Sequence, residues 1–183
     1  MPAWVQIFLT GVTAAIINQL LGWLKDNRRE KAKVEVGRRY TALRLAVALE
    51  RFAIRCADQI AAVESEVRQA HMNSIAPDCH SIIFPSLHAS EESDLRWIST
   101  DLVSEILAVP PQIDFSKGAI DWAWESGAPD DMAEEFQLQL ARRGLECWEI
   151  ALRVRREYQI APAKFEMVRW NFIEVLRKHA KTT

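Results

Sequence analysis

A long uncharged stretch at the start of the chain constrains the fold most. Residues Ala3 to Leu24 form a run of 22 residues without Asp, Glu, Lys or Arg, and five of the next nine residues are Lys or Arg. The hydrocarbon core of a bilayer is about 30 Å thick, so about 20 apolar helical residues cross it. The sequence therefore predicts a transmembrane helix at the N-terminus.

Residues at both ends of this run support insertion into a bilayer. Trp4 and Trp23 lie about 28 Å apart along an α-helix, so the two indole rings reach opposite headgroup layers. Lys25, Arg28 and Arg29 follow the run directly, and basic residues beside a span stay on the cytoplasmic side. These five residues are the expected anchors at the membrane interface.

The topology follows from this placement of charge. We expect a single-pass protein of the cell membrane, with its N-terminus outside and its C-terminal domain in the cytoplasm. The expected organisation is a membrane anchor over residues 1–24, a basic juxtamembrane segment over 25–37 and a cytoplasmic all-α domain over 38–183.

Polar residues in the run leave other interpretations open. Gln6, Asn18 and Gln19 are costly in lipid, so the run also fits a buried helix of a soluble protein or a helix lying in the membrane surface. A cleaved signal peptide is disfavoured, because no basic residue precedes the run and no small-residue cleavage site follows it.

A stripe of small residues indicates association within the membrane. Gly11, Ala15, Asn18 and Gly22 are spaced by four, three and four residues, which places them on one face of a helix. Small residues let two membrane helices approach closely, and an amide on such a face can bond across the contact. We expect self-association or pairing with another membrane protein through this helix-association face.

Net charge limits the classes of partner. The chain carries a net charge of −2, whereas nucleic-acid-binding domains are usually strongly basic, so no nucleic acid is expected as a partner. Between Lys25 and Arg44 lie eight basic and three acidic residues. Such a cluster attracts anionic headgroups, which makes membrane lipid an expected partner.

The remainder of the chain has the pattern of a series of helices. Apolar residues recur every three or four positions over Leu45, Leu49, Phe52, Cys56, Ile60, Val63, Val67 and Ala70. This first helix should end near Asn73, before Pro77. A second helix should follow Ser90 and stop at Pro110 and Pro111, because proline disrupts a helix interior.

Three further helices complete the expected fold. A short helix is expected around residues 116–125, and Pro129 opens a well-marked helix that runs to about Tyr158. Apolar spacing from Phe165 to Leu176 marks a final helix. The fold class is therefore all-α, with an N-terminal transmembrane helix followed by a helical bundle of four or five helices.

Common catalytic motifs are absent from the sequence. It contains no glycine-rich phosphate loop, no His-Glu-x-x-His helix, no Gly-x-Ser-x-Gly elbow and no Cys-x-x-Cys pair. No catalytic residue and no cofactor are therefore assigned, and an enzyme is the less favoured class. Cys56 and Cys147 fall on predicted core faces, where we expect reduced packing residues.

One cluster has the residue types of a metal site. His71, Cys79, His80 and His88 lie within eighteen residues, although their spacing matches no common zinc pattern. They are weak metal candidates.

Charged residues in the second half of the chain are expected to pair with one another. Residues 91–135 hold twelve acidic and two basic residues. The helix that follows carries a set of arginines, Arg142, Arg143, Arg153, Arg155 and Arg156. We expect these two groups to form ion pairs inside one fold.

The features together favour a membrane-tethered helical interaction, scaffold or regulatory protein that acts as an oligomer. Two alternatives stay open. One is a helical metal-dependent enzyme that uses the region from His71 to His88, and the other is a membrane-disrupting effector whose anchor assembles into a pore.

Overall fold

The computed structural model describes residues 3–77, 82–87, 95–126, 129–165 and 170–181. For helical residues 3–18, 20, 21, 24, 126, 129 and 130 it describes the backbone only. Within these residues the chain forms four α-helices and no strand. The predicted all-α fold class is confirmed.

The four helices have the following bounds. They are α1 (Ala3–Asn73), α2 (Thr100–Ser126), α3 (Pro129–Glu157) and α4 (Phe172–Ala180), with a short 3-10 turn at Leu95–Trp97 before α2. The expected anchor and the expected first bundle helix are therefore one continuous helix. The chain divides into two compact units, Met1–Arg39 and Tyr40–Thr183.

The first unit is helical from Ala3 onward. Its described side chains are exposed or half-buried, and Glu35 accepts a 3.1 Å hydrogen bond from Arg39 one turn later. No helix in the described part of the chain is long and apolar enough to cross a membrane. Most side chains of the predicted anchor lie outside the described residues.

In the second unit, the predicted apolar face of α1 is confirmed. Its most deeply buried side chains include Leu45, Leu49, Phe52, Cys56, Ile60 and Val63. The helix ends at Asn73, as predicted, because Ser74 adopts a left-handed conformation with φ of 54°. The N–H of Ile75 then bonds back to the carbonyl of Ala70 at 3.0 Å, which closes the last turn.

The predicted break at the proline pair is wrong. Helix α2 continues through Pro110 and Pro111, so the separate short helix around 116–125 is its second half. The reason is burial on both sides of the prolines. Leu102, Ile106, Val109, Ile113 and Ile120 are all buried on one face of α2, and this packing outweighs the local cost of proline.

Helix α3 has the predicted extent, whereas the final helix is shorter than predicted. Phe165 lies in a non-helical segment, and α4 begins only at Phe172. Asn171 caps α4, since its side-chain oxygen accepts hydrogen bonds from the N–H groups of Ile173 at 3.1 Å and Glu174 at 3.4 Å.

Polar contacts show that α2 and α3 run antiparallel. The hydroxyl of Ser116 donates to Gln139 at 2.8 Å, Arg143 donates to Gln112 at 2.7 Å, and Arg153 forms an ion pair with Glu105. Residues later in α3 therefore contact residues earlier in α2.

Gly144 brings three helices together. A Cβ atom built at Gly144 in α3 would lie 2.8 Å from Cδ2 of Leu176 in α4 and 3.0 Å from Cβ of Cys56 in α1. Only a glycine allows so close an approach.

Candidate functional site

A surface depression lined by three arginines lies along α1 in the second unit. It has a volume of about 450 Å³, and we call it the arginine groove. Its lining consists of Leu43, Arg44, Val47, Ala48, Arg51, Phe52 and Arg55 from α1, together with Ser86. One helix thus supplies nearly the whole surface.

The three arginines of the groove form a single row. Arg44, Arg51 and Arg55 are spaced by seven and four residues, which places them within about 40° of one another around the helix. All three are exposed. In the described part of the chain, neither Arg51 nor Arg55 forms an ion pair with a carboxylate.

Apolar side chains flank this row on one side. Tyr40 is 61% exposed and Leu43 is 38% exposed, and Val47 is half-buried. The guanidinium carbon of Arg44 lies 5.9 Å from the centre of the Tyr40 ring, within the range of a cation–π contact. The groove therefore offers positive charge and apolar surface side by side.

The chemistry of these side chains suits binding. A guanidinium group stays protonated at any physiological pH, so it is a poor general acid or base. Its planar set of donors matches a carboxylate or phosphate group in shape and charge. Such a surface is complementary in charge and polarity to an acidic segment with an apolar side.

The structure describes one of the four metal candidates. His71 lies exposed in the last turn of α1, and Cys79, His80 and His88 lie outside the described residues. Among the residues that are described, no group of three or more His, Cys, Asp or Glu side chains is placed to hold a metal ion.

The predicted membrane residues are described only in part. The side chains of Gly11, Ala15, Asn18 and Trp4 lie outside the described residues. Gly22 is exposed, and a Cβ atom built on it would have no other atom within 4 Å. The remaining interface residues are exposed as well: Trp23, Lys25, Arg28 and Arg29.

Three of the five α3 arginines pair within the fold, as expected. Arg153 pairs with Glu105, one of the acidic residues within 91–135. The other two differ from the prediction in their partners, since Arg143 binds Gln112 and Glu146. Arg155 binds Glu50 of α1, and this hydrogen bond raises the pKa of Arg155.

Cys56 and Cys147 are fully buried free thiols, which confirms their predicted place in the core. Burial raises the pKa of both thiols, and the neighbouring Cys147 raises that of Cys56 further. A thiol held in its protonated form is a weak nucleophile. These cysteines are packing residues.

The arginine groove was not predicted from the sequence, although the signal was present. The spacing of Arg44, Arg51 and Arg55 marks one helix face, but arginines in a long helix are commonly exposed and solvated. Their position next to the exposed Tyr40 and Leu43 distinguishes this row, and exposure is a property of the folded chain.

Comparisons with known proteins give no match. No protein-family model, no curated protein and no solved structure is significantly similar to this chain. The functional argument therefore rests on the physical features of the chain itself.

Proposed function

We propose that this protein is a membrane-tethered helical interaction protein, whose folded domain binds an acidic, partly apolar segment of a partner in the arginine groove. One observation carries the proposal. Arg51 and Arg55 are exposed beside apolar side chains, and no described carboxylate pairs with either of them.

The spacing of these two arginines strengthens the argument. Arg51 and Arg55 are four residues apart on one helix, where like charges destabilise the helix by a few tenths of a kcal/mol. A carboxylate from a partner relieves this repulsion and gains charge-assisted hydrogen bonds. The exposed Tyr40 and Leu43 add apolar area to the same contact.

The tether comes from the N-terminal run. Residues Ala3 to Leu24 are uncharged and long enough to cross a bilayer. Trp23 is 64% exposed, and Lys25, Arg28 and Arg29 beside it are exposed too. Exposed aromatic and basic side chains at the end of an apolar run support anchoring at a membrane interface.

Flotation of the full chain with liposomes tests the tether. We expect the protein to float with the lipid and to resist extraction at high salt and alkaline pH. The variant Ile16→Asp/Ile17→Asp should stay in the soluble fraction, because each carboxylate costs about 3 kcal/mol at the centre of a span. The matched control Val36→Asp/Tyr40→Asp also adds two carboxylates and should still float. Loss of flotation in the control, or flotation of the first variant, would contradict the tether.

Photo-crosslinking tests the groove. We would replace Leu43, an exposed apolar residue that lines the groove, with p-benzoylphenylalanine and irradiate membranes that carry the full chain. A crosslinked product is expected that disappears when Arg51 and Arg55 are both changed to Glu. The same photo-reactive residue in place of the exposed Arg142 on α3 is the control and should give no such product. Absence of any product from position 43 would refute the groove as a binding site.

A further inference from the structure

Helix α2 carries a row of carboxylates that matches the arginine row in spacing. Asp114, Asp121 and Glu125 are all exposed and are spaced by seven and four residues, so they too lie within about 40° around the helix. Asp114 accepts a 3.0 Å hydrogen bond from Lys117. In the described residues, neither Asp121 nor Glu125 forms an ion pair.

Apolar side chains flank this acidic row as well. Leu107 is 57% exposed, Phe115 is 76% exposed and Trp122 is 70% exposed, and Pro111 is exposed on the same face. The opposite face of α2 is the one buried in the core. A helix with so large an apolar surface facing solvent is typical of an interaction surface.

The equal spacing defines a register between the two helices. When α2 of one molecule packs parallel to α1 of another, each arginine of the groove faces one carboxylate. The facing pairs are Arg44 with Asp114, Arg51 with Asp121, and Arg55 with Glu125. Since both rows rise by about 1.5 Å per residue, all three pairs form together.

The apolar flanks agree with the same arrangement. Tyr40, Leu43 and Val47 lie on one side of the arginine row, and Phe115 and Trp122 lie on the opposite rotational side of the acidic row. In two parallel helices that face each other, these two sides coincide. In an antiparallel pair the apolar flanks would lie on different sides, so the pattern selects the parallel pair.

Small residues lie at the centre of the contact. Ala48 in the groove and Gly118 on α2 lie at the same height in this register. A Cβ atom at Gly118 would have no atom within 4 Å, so the space above it is open. Two small residues at one height of a helix pair let the helix axes approach closely.

From this match we infer that the partner in the arginine groove is α2 of a second copy of this chain. The inference rests on the proposed function, because it names the partner for the same groove. The association is non-covalent and combines three ion pairs with an apolar seam, so it weakens as salt concentration rises.

Charge exchange tests the register in the full chain in detergent, by sedimentation equilibrium. Arg51→Glu/Arg55→Glu and Asp121→Lys/Glu125→Lys should each weaken self-association at least about tenfold. The chain carrying all four changes should recover it. The matched control Arg142→Glu/Arg156→Glu reverses two exposed arginines of α3 and should associate like the wild type. An unchanged association constant in both reversed chains, or no recovery in the fourfold variant, would overturn the inference.

An uncharged variant keeps the test independent of salt. Gly118→Leu should weaken association at least about tenfold, while the monomer keeps its circular dichroism spectrum and unfolds at no lower temperature, because the space at Gly118 is open and leucine favours a helix over glycine. Wild-type association of Gly118→Leu would contradict the close contact. All these variants keep the same anchor, so association through the membrane helix does not produce the differences between their association constants.

The crosslink from position 43 separates this inference from the proposed function. A product with twice the mass of the chain, with the crosslink mapped to residues 111–125, supports a second copy. A product with a different protein alone overturns the second copy and leaves the proposed function standing. Absence of a product overturns both.

Discussion

Two carboxylates on α1 bind other helices of the second unit, one in the core and one at the surface. Glu50 is buried and binds Arg155 of α3 through hydrogen bonds of 2.5 and 2.9 Å. Glu64 is partly exposed and accepts a 2.7 Å hydrogen bond from Lys178 of α4, with a nitrogen of His179 at 3.0 Å. The same residue type thus joins α1 to its neighbours once in the core and once at the surface.

The Glu50 and Glu64 contacts differ in how far their charged groups are removed from water. Arg155 uses its third hydrogen bond on the carbonyl of Ala161 at 2.6 Å, so both ions of the buried pair are well satisfied. Removing one partner of such a pair leaves a charge without compensation in a medium of low polarity. At the surface, water replaces a lost partner of Glu64, so the contact contributes little. Burial, and not the count of ion pairs, decides which contact controls stability.

The largest effect is therefore expected at the buried pair. Glu50→Ala leaves the Arg155 guanidinium buried and unpaired, and should lower the free energy of unfolding by about 3 to 5 kcal/mol. Urea denaturation followed by circular dichroism measures this change. A loss below about 1 kcal/mol would show that water reaches Arg155 and would remove the contrast with Glu64.

Replacing both ions separates the cost of an unpaired charge from the cost of lost packing. Glu50→Leu/Arg155→Met removes the charges together, and apolar side chains of similar size fill the space. The double variant should be more stable than Glu50→Ala by about 2 kcal/mol or more. Equal stability of the two proteins would mean that shape, rather than an unpaired charge, accounts for the loss.

Packing around Gly144, where α3 approaches α4 and α1, should have the next largest effect. Gly144→Ala places a methyl group 2.8 Å from Leu176 and 3.0 Å from Cys56, and should destabilise the fold by about 1 to 3 kcal/mol. Gly118→Ala is the matched control, because its methyl group meets no atom within 4 Å. That control should stabilise the helix by about 0.5 to 1 kcal/mol. Thermal unfolding at a concentration that keeps the chain monomeric compares the two, and a neutral Gly144→Ala would show that α4 shifts to make room.

The smallest effect on stability is expected at the surface contact of Glu64 with Lys178 and His179, and it depends on pH. The hydrogen bond from Lys178 is the main cause of the lowered pKa of Glu64. Stabilisation from a lowered carboxyl pKa is present above the ordinary value and is lost as pH falls through the lowered one. Glu64→Gln should lower stability by about 0.5 kcal/mol at neutral pH, and this difference should shrink as pH falls through the lowered pKa of Glu64. Denaturation curves at several pH values check this, and a difference that persists in acid would contradict it.

Much of the fold follows from local pattern. The apolar period of α1, its end at Asn73 and the opening of α3 at Pro129 were all predictable, because helix periodicity and terminal residues are short-range signals. The continuation of α2 through Pro110 and Pro111 was not, since it depends on burial of residues on both sides of the prolines against other helices. The late start of α4 has a local explanation in the Asn171 cap, which the apolar spacing from Phe165 obscured.

Composition and helical period are properties of the chain alone, and they were enough to establish the all-α class, the uncharged run from Ala3 to Leu24 and the regular spacing of the arginines on α1. Which arginines are available to a partner depends on how the helices pack. Arg155 is buried against Glu50, whereas Arg51 and Arg55 face solvent. Residue identity fixes the charge of a side chain, but only packing fixes whether that charge is satisfied inside the fold or presented to a partner.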